Sequence, residues 1–289
     1  MNGKVITVLA VLLVHIMVAG VAMAKTDASK KWRYVAEGGG VTIKRRVNKP
    51  RGDLVIPSKL DKRPVTGIGD DAFEGCDRLT SVTIPEGVTS IGGGAFAGCS
   101  GLTSVTIPDS VTSIGYAAFA GCSQLTNITI PDGVTIIGND MFARCTSLTG
   151  VTIPASVTTI GMRAFNYCES LTHVTIPDSV TNLGVRAFAN CNRLTSVSIS
   201  NRITSIDKWT FTECSSLTSV TIPDSVTSIG DNAFSKCTNL RVVTIPDSVT
   251  SIGGYAFAWS GEIVLDVTEG SYAEQYAKEN DISYVLAKE

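Results

Sequence analysis

The chain has 289 residues, a formal net charge of −2, 17% charged and 44% hydrophobic residues, a balance ordinary for a folded protein that carries no bulk electrostatic signal for a nucleic-acid partner. Its eight Cys, at 76, 99, 122, 145, 168, 191, 214 and 237, recur every 23 residues, and nine Phe from Phe73 to Phe257 keep the same interval. That regularity excludes a disulfide miniprotein and an aperiodic globular enzyme, and it marks a repeat array.

In chain order, residues 1–24 read as a secretory signal peptide: Lys4, an apolar run from Val5 to Val21, then Ala22-Met23-Ala24 as a small-x-small cleavage site. An uncleaved anchor is the alternative, disfavoured by that ending. With no further apolar run, no integral membrane segment is expected after cleavage, and the mature chain is expected to be exported to the periplasm, the cell surface or the medium. Residues 25–52 read as a basic N-terminal cap. Residues 25–63 carry net +8 and residues 64–289 net −11, so the basic end is either a polyanion contact or, as favoured here, a solvated cap.

Residues 53–260 form about nine rungs. One unit runs from Leu102 through Val105, Ile107, Pro108, Val111, Ile114, Gly115, Phe119 and Cys122. Alternation from Val105 to Ile107 predicts a strand, Pro108-Asp109 a turn, and Val111 to Ile114 a second extended piece. The three-residue spacing of Phe119, Cys122 and Leu125 predicts a tight helical turn. A single rung cannot bury enough apolar surface alone, so neighbours must complete it and the ends need caps. The first rung is lengthened by five residues between Pro57 and Val65. At the other end Ser260 stands where Cys is expected, and residues 261–289 read as a C-terminal cap in which Ser271-Tyr272-Ala273-Glu274 is a capping box opening a helix to about Asn280.

The pattern Leu-x-x-Val-x-Ile-Pro-x-x-Val-x-x-Ile-Gly-x-x-Ala-Phe-x-x-Cys resembles the BspA-like leucine-rich repeats of secreted and surface proteins. The resemblance implies an α/β repeat solenoid, a leucine-rich-repeat horseshoe with a concave parallel sheet and short helical turns. It also implies roles in adhesion or protein binding, and it carries over no ligand.

Stacked Cys side chains point the same way, which predicts a buried ladder of mostly free thiols; bridging between adjacent rungs is the alternative. No metal-ligand spacing, cofactor motif or catalytic constellation is present, so no metal, cofactor or catalytic residue is expected. His173, the sole His after the leader, takes a strand position held elsewhere by Ser81, Ser104, Asn127, Gly150 and Ser196, and it reads as a surface residue or one ligand contact. The row Thr83, Thr106, Thr129, Thr152 and Thr175 suits an ordered lattice or polysaccharide, though β-propensity explains it. The broken acidic row after the turn position, Glu86, Asp109, Asp132, Asp178, Asp224 and Asp247 with Ala155 and Asn201 interrupting it, suggests calcium, though turn chemistry explains it. Arg51-Gly52-Asp53 is an integrin-type tripeptide of little information, and Asn127-Ile128-Thr129 fits a glycosylation acceptor.

Departures from the repeat are the better guide to binding. Ser200-Asn201-Arg202 replaces a Pro turn, Asp207 replaces Gly, and Arg163, Arg186 and Trp209 share the position two residues before Phe in successive rungs. The candidate partner-binding residues are therefore Arg163, Arg186 and Trp209 as a stripe, or Asn127 and His173 on the strand face. The expected function is an exported, non-enzymatic repeat protein binding a protein or surface glycan. The alternative is a structural envelope or matrix component without a discrete ligand, and a hydrolase reading would rest on His173 alone.

Overall fold

The structure is a computed structural model that describes residues 23–287. The expected signal peptide, up to residue 22, lies outside those residues. Each rung begins with a short strand whose β-branched residues suit a half-buried pleat: Val82, Ile128, Val174 and Val220 point inward while Thr83, Thr129, Thr175 and Thr221 face solvent. Most neighbouring strands pair in parallel at an offset of 23 residues, as Asn127–Thr129 beside Gly150–Thr152 and His173–Thr175 beside Ser196–Ser198. A Pro turn follows, closed in one rung by Val111 N–H donating to Pro108 O at 3.0 Å. Two-residue strands such as Thr159–Ile160, flanked by Ile136–Ile137 and Asn182–Leu183, then form a second parallel ladder.

The third segment carries Phe and Cys. Residues two before and two after each Phe have a left-handed backbone; around Phe165 these are Arg163 at φ 55° and Tyr167 at φ 60°, and all nine Phe are flanked the same way. The three-residue spacing is realised as consecutive i→i+3 turns, with Cys168 N–H to Phe165 O at 3.1 Å and Leu171 N–H to Cys168 O at 3.0 Å. The left-handed residues stop this path from growing into a regular helix. They also aim alternate amides at the next rung, so that Arg163, Phe165 and Tyr167 donate to Val185, Ala187 and Ala189.

Inside, the nine Phe rings form one stack with centroids 5.1–5.8 Å apart and planes inclined by 4–18°. Such spacing is offset stacking, favoured over a flat sandwich by the ring quadrupole. Each thiol from Cys99 to Cys237 donates to the carbonyl of the preceding rung's Phe at 3.2–3.3 Å. Ser260 takes over that role, its Oγ reaching Phe234 O at 2.6 Å. All eight cysteines are buried and free, and burial pushes the Cys122, Cys191 and Cys237 thiols up to about 12.

Both ends of the stack are closed by an aromatic set edge-on: Trp32 on Phe73 at 6.3 Å and Tyr276 on Phe257 at 6.2 Å. Trp32 belongs to an antiparallel hairpin, Trp32–Glu37 with Gly40–Arg46, and the second strand continues in parallel beside Arg63–Ile68. The five extra residues after Pro57 make a small hairpin, Lys59–Leu60 against Arg63–Ile68, turning through Asp61 and Lys62 at φ 46° and 67°. Two positive φ values in succession are what a two-residue hairpin loop needs.

At the other end, Val264–Val267 and Ser283–Leu286 extend the first ladder in parallel beyond the last Phe, joined through the helix Tyr272–Glu279. Counting these, the first ladder makes eleven turns. Ser271 caps the helix, its Oγ accepting from Glu274 N–H at 3.2 Å, while the Glu274 carboxylate reaches back to Gly270 N–H at 2.7 Å. Lys278 and that amide hold the Glu274 carboxyl below its ordinary range.

Phe165→Ala is expected to remove about 3–5 kcal/mol from unfolding stability, read by denaturant titration, because it interrupts the stack at its centre. The Glu274 contribution is present above the unfolded value near 4.3 and is lost as pH falls through the lower folded value. Glu274→Gln should therefore flatten that part of the melting-temperature profile; an unchanged profile would detach the cap from its ionisation.

Candidate functional site on the turn side

The left-handed position two residues after Phe holds Gly75, Gly98 and Gly121 in the first three rungs, at φ 61°, 68° and 72°. The next six rungs keep the conformation but fill the position with Arg144, Tyr167, Asn190, Glu213, Lys236 and Trp259, at φ 58–63°. A side chain with a Cβ costs about 1–2 kcal/mol in this region, less for Asn and Asp, where Gly costs little. The column two residues before Phe runs alongside, also left-handed, through Asp140, Arg163, Arg186, Trp209, Asn232 and Tyr255.

Together the two columns cover the later turn side with large side chains that pair with one another. Arg163 makes a two-pronged ion pair with Asp140 one rung earlier, at 2.8 and 3.0 Å, which holds its guanidinium above the ordinary range. Arg186 lies over the Trp209 ring at 4.7 Å, and Arg144 over Tyr167 at 5.5 Å. Lys236 bonds Glu213 at 2.7 Å, and Tyr255 stacks on Trp259 at 5.8 Å. Between the columns lies a groove of about 300 Å³, whose lining includes Tyr167, Arg186, Asn190, Trp209, Glu213 and Trp259. Tyr167 and Trp259 are 38% and 65% exposed, large values for aromatic rings that touch a cavity.

Of the residues singled out from sequence, Arg186 and Trp209 come together and line this groove. Arg163 does not line it and is occupied by Asp140. Asn127 and His173 lie on the strand side, in one exposed column but two rungs apart with Gly150 between them. His173 Nδ1 is 3.1 Å from Thr172 Oγ1, its one side-chain hydrogen bond among the described residues. A strand-side depression of about 390 Å³ is lined by Ser196, Ser198, Asn201, Ser219 and Thr221, and takes neither Asn127 nor His173.

Other sequence signals resolve into structure. Ser200, in place of Pro, donates to Val180 O at 2.7 Å. It thereby does what the turn serine does elsewhere, as Ser225 to Ile203 O at 2.7 Å. Asp53 of the Arg51-Gly52-Asp53 run sits in the strand Gly52–Val55 and accepts from Thr80 and Ser81 at 3.0 and 2.6 Å. In the basic cap, Arg46 lies over Trp32 and Lys49 donates to Gly75 O at 2.8 Å.

Sequence reasoning missed the column two residues after Phe. Its signal was visible, as the switch from Gly to large residues at Arg144, but the left-handed backbone that gives the switch its meaning was not.

Parallel strand ladders, a 23-residue repeat and a single interior stack define a leucine-rich-repeat solenoid. Residues 66–161 and 135–264 match the BspA type leucine rich repeat region, in 6 copies, and the chain belongs to that family. Among solved structures it is similar to the leucine-rich repeat protein of T. pallidum, 27% identical over 75% of this chain and 91% of that one, with a TM-score of 0.52. A leucine-rich repeat protein from Bacteroides ovatus is 24% identical over 81% of this chain and 70% of that one, with a TM-score of 0.56, a likeness of fold alone. A leucine rich cell surface protein from Faecalibacterium prausnitzii is 28% identical over 90% and 97%, with a TM-score of 0.43. No curated protein matches the chain. No helix among the described residues is long and apolar enough to cross a membrane.

Gly98→Ala should lower stability by about 1 kcal/mol. Lys236→Gly should leave it unchanged or raised, since relief of the left-handed strain outweighs a solvent-screened surface ion pair and the added unfolded-state freedom. A thermal melt that drops markedly for Lys236→Gly would show that the later rungs need their large residues for folding.

Proposed function

We propose that the chain is an exported, non-enzymatic binding protein whose partner, a protein or a surface glycan, docks on the turn side of its later rungs. One observation carries this reading: six consecutive rungs keep large side chains at a left-handed position that Gly fills in the first three. Side chains retained at a cost to the fold are expected where they do something other than fold. Arg and Trp are also the residue types that dominate binding energy at interfaces.

Export rests on Lys4, the apolar run Val5–Val21 and Ala22-Met23-Ala24. The non-enzymatic reading rests on the repeat itself. Catalysis needs unlike groups converging on one point, whereas the ladders set like groups in rows, and His173, the one His among the described residues, is exposed beside a threonine.

The test is retention of the protein on immobilised envelope and host-matrix extracts. Arg186→Ala with Trp209→Ala is expected to weaken retention at least tenfold, and Asn127→Ala with His173→Ala to weaken it far less. The opposite order would move the contact to the strand side, and no retention of the unaltered protein would favour a structural role.

A further inference from the structure

We infer that the turn-side groove takes a carbohydrate, an extended and uncharged chain of β-linked pyranose residues laid along the rungs. The inference rests on the binding reading above and names the class of ligand.

A pyranose ring offers two kinds of surface at once, a face of C–H bonds and a rim of hydroxyls. The groove offers the complement of both. Tyr167 and Trp259 line it, while the groups stacked on them, Arg144 and Tyr255, do not. Each ring is thus braced on one face from behind and keeps the other for a ligand, so little side-chain freedom is lost on binding. Asn166, Asn190, Thr212 and Asn232 also line the groove; Thr212 is bonded to Ser235 at 2.7 Å and Asn190 donates to Asn166 Oδ1 at 3.4 Å, which leaves the Asn166 amide N–H, the Asn190 carbonyl and both ends of the Asn232 amide to donate and accept as a diol requires.

The charges point away from a charged ligand. Glu213 and Lys236 neutralise each other at 2.7 Å, which leaves Arg186, lying over Trp209, as the single uncompensated charge of the lining. No cluster of like charge remains to attract an ionic polymer. The groove is also the size of a small-ligand site, where a few hundred cubic ångströms is usual, rather than the broad patch of about 800 Å² per partner that a stable protein interface covers.

Length fits as well. Rungs repeat at about the 4.8 Å of neighbouring strands, close to the length of one pyranose residue in an extended chain. Successive sugars would therefore meet equivalent backbone positions on successive rungs, from Tyr167 towards Trp259. The first three rungs, with Gly at the same position, offer no ring and no amide there, so the chain would bind only over the later rungs.

Cellohexaose and chitohexaose are the probes, titrated calorimetrically and by tryptophan fluorescence. At least one is expected to bind with a change in fluorescence, and Trp259→Gly and Asn190→Gly are each expected to weaken it at least tenfold. Glycine suits the left-handed backbone, so both variants should keep a native circular-dichroism spectrum and a cooperative melt, which separates loss of the site from loss of the fold. Binding of neither probe, or equal binding by Trp259→Gly, overturns the inference. If neither probe binds while the Arg186→Ala and Trp209→Ala change still abolishes retention on extracts, the glycan fails and the binding reading stands; if retention is also unaffected, both fail.

Discussion

Stacking each Phe ring on the ring of the next rung is the contact on which the other parts of this solenoid depend. A ring can lie about 5 Å above its equivalent only if every rung returns to the same place with the same side chain. The period of 23 is thus a geometric demand before it is a sequence pattern. The thiol beside each ring meets the same demand from another side. It is small enough to pack within the turn and still donates a bond to the Phe carbonyl of the rung before, which would otherwise be a buried acceptor with one partner fewer. Ser260 shows that the bond matters as well as the volume, since a hydroxyl stands in where the stack nears its end.

The ends follow from the same contact. A stack of parallel rings has a bare face at each terminus, and another Phe would only move the problem one rung further. Trp32 and Tyr276 end it by turning edge-on. The edge of one ring meets the face of the last, and the remaining surface of each capping ring packs into a hairpin or a helix. The basic cap and the acidic array thus share one core, although their charges differ sharply in sign.

Much of this was legible in the sequence because repetition multiplies weak signals. One Val-x-Ile is an ambiguous strand, but seven in register fix the ladder, and the capping box at Ser271 and Glu274 named its helix almost to the residue. The hairpin of Trp32 was not legible, since it occurs once and its partner, Phe73, lies in a different element. The left-handed flanks of Phe were not legible either. In the first rungs Gly hints at them, but Arg144, Tyr167 and Trp259 are residues that sequence reasoning assigns to ordinary backbone. The stripe of Arg163, Arg186 and Trp209 was read from side-chain type, which is why it caught Arg186 and Trp209 and also took in Arg163, a residue already satisfied by Asp140.

Regularity and function pull in opposite directions in such a chain. A fold selected only for stability would extend Gly75, Gly98 and Gly121 through every rung, because the backbone there is left-handed throughout. The fold can hold the six large residues that replace them because the stack, the thiol bonds and the two strand ladders over-determine each rung. Strain of about 1 kcal/mol at one residue is small against those contacts. Redundancy in the interior thus leaves the turn surface free to vary, and variation concentrated on one half of that surface gives an otherwise uniform solenoid a place to bind.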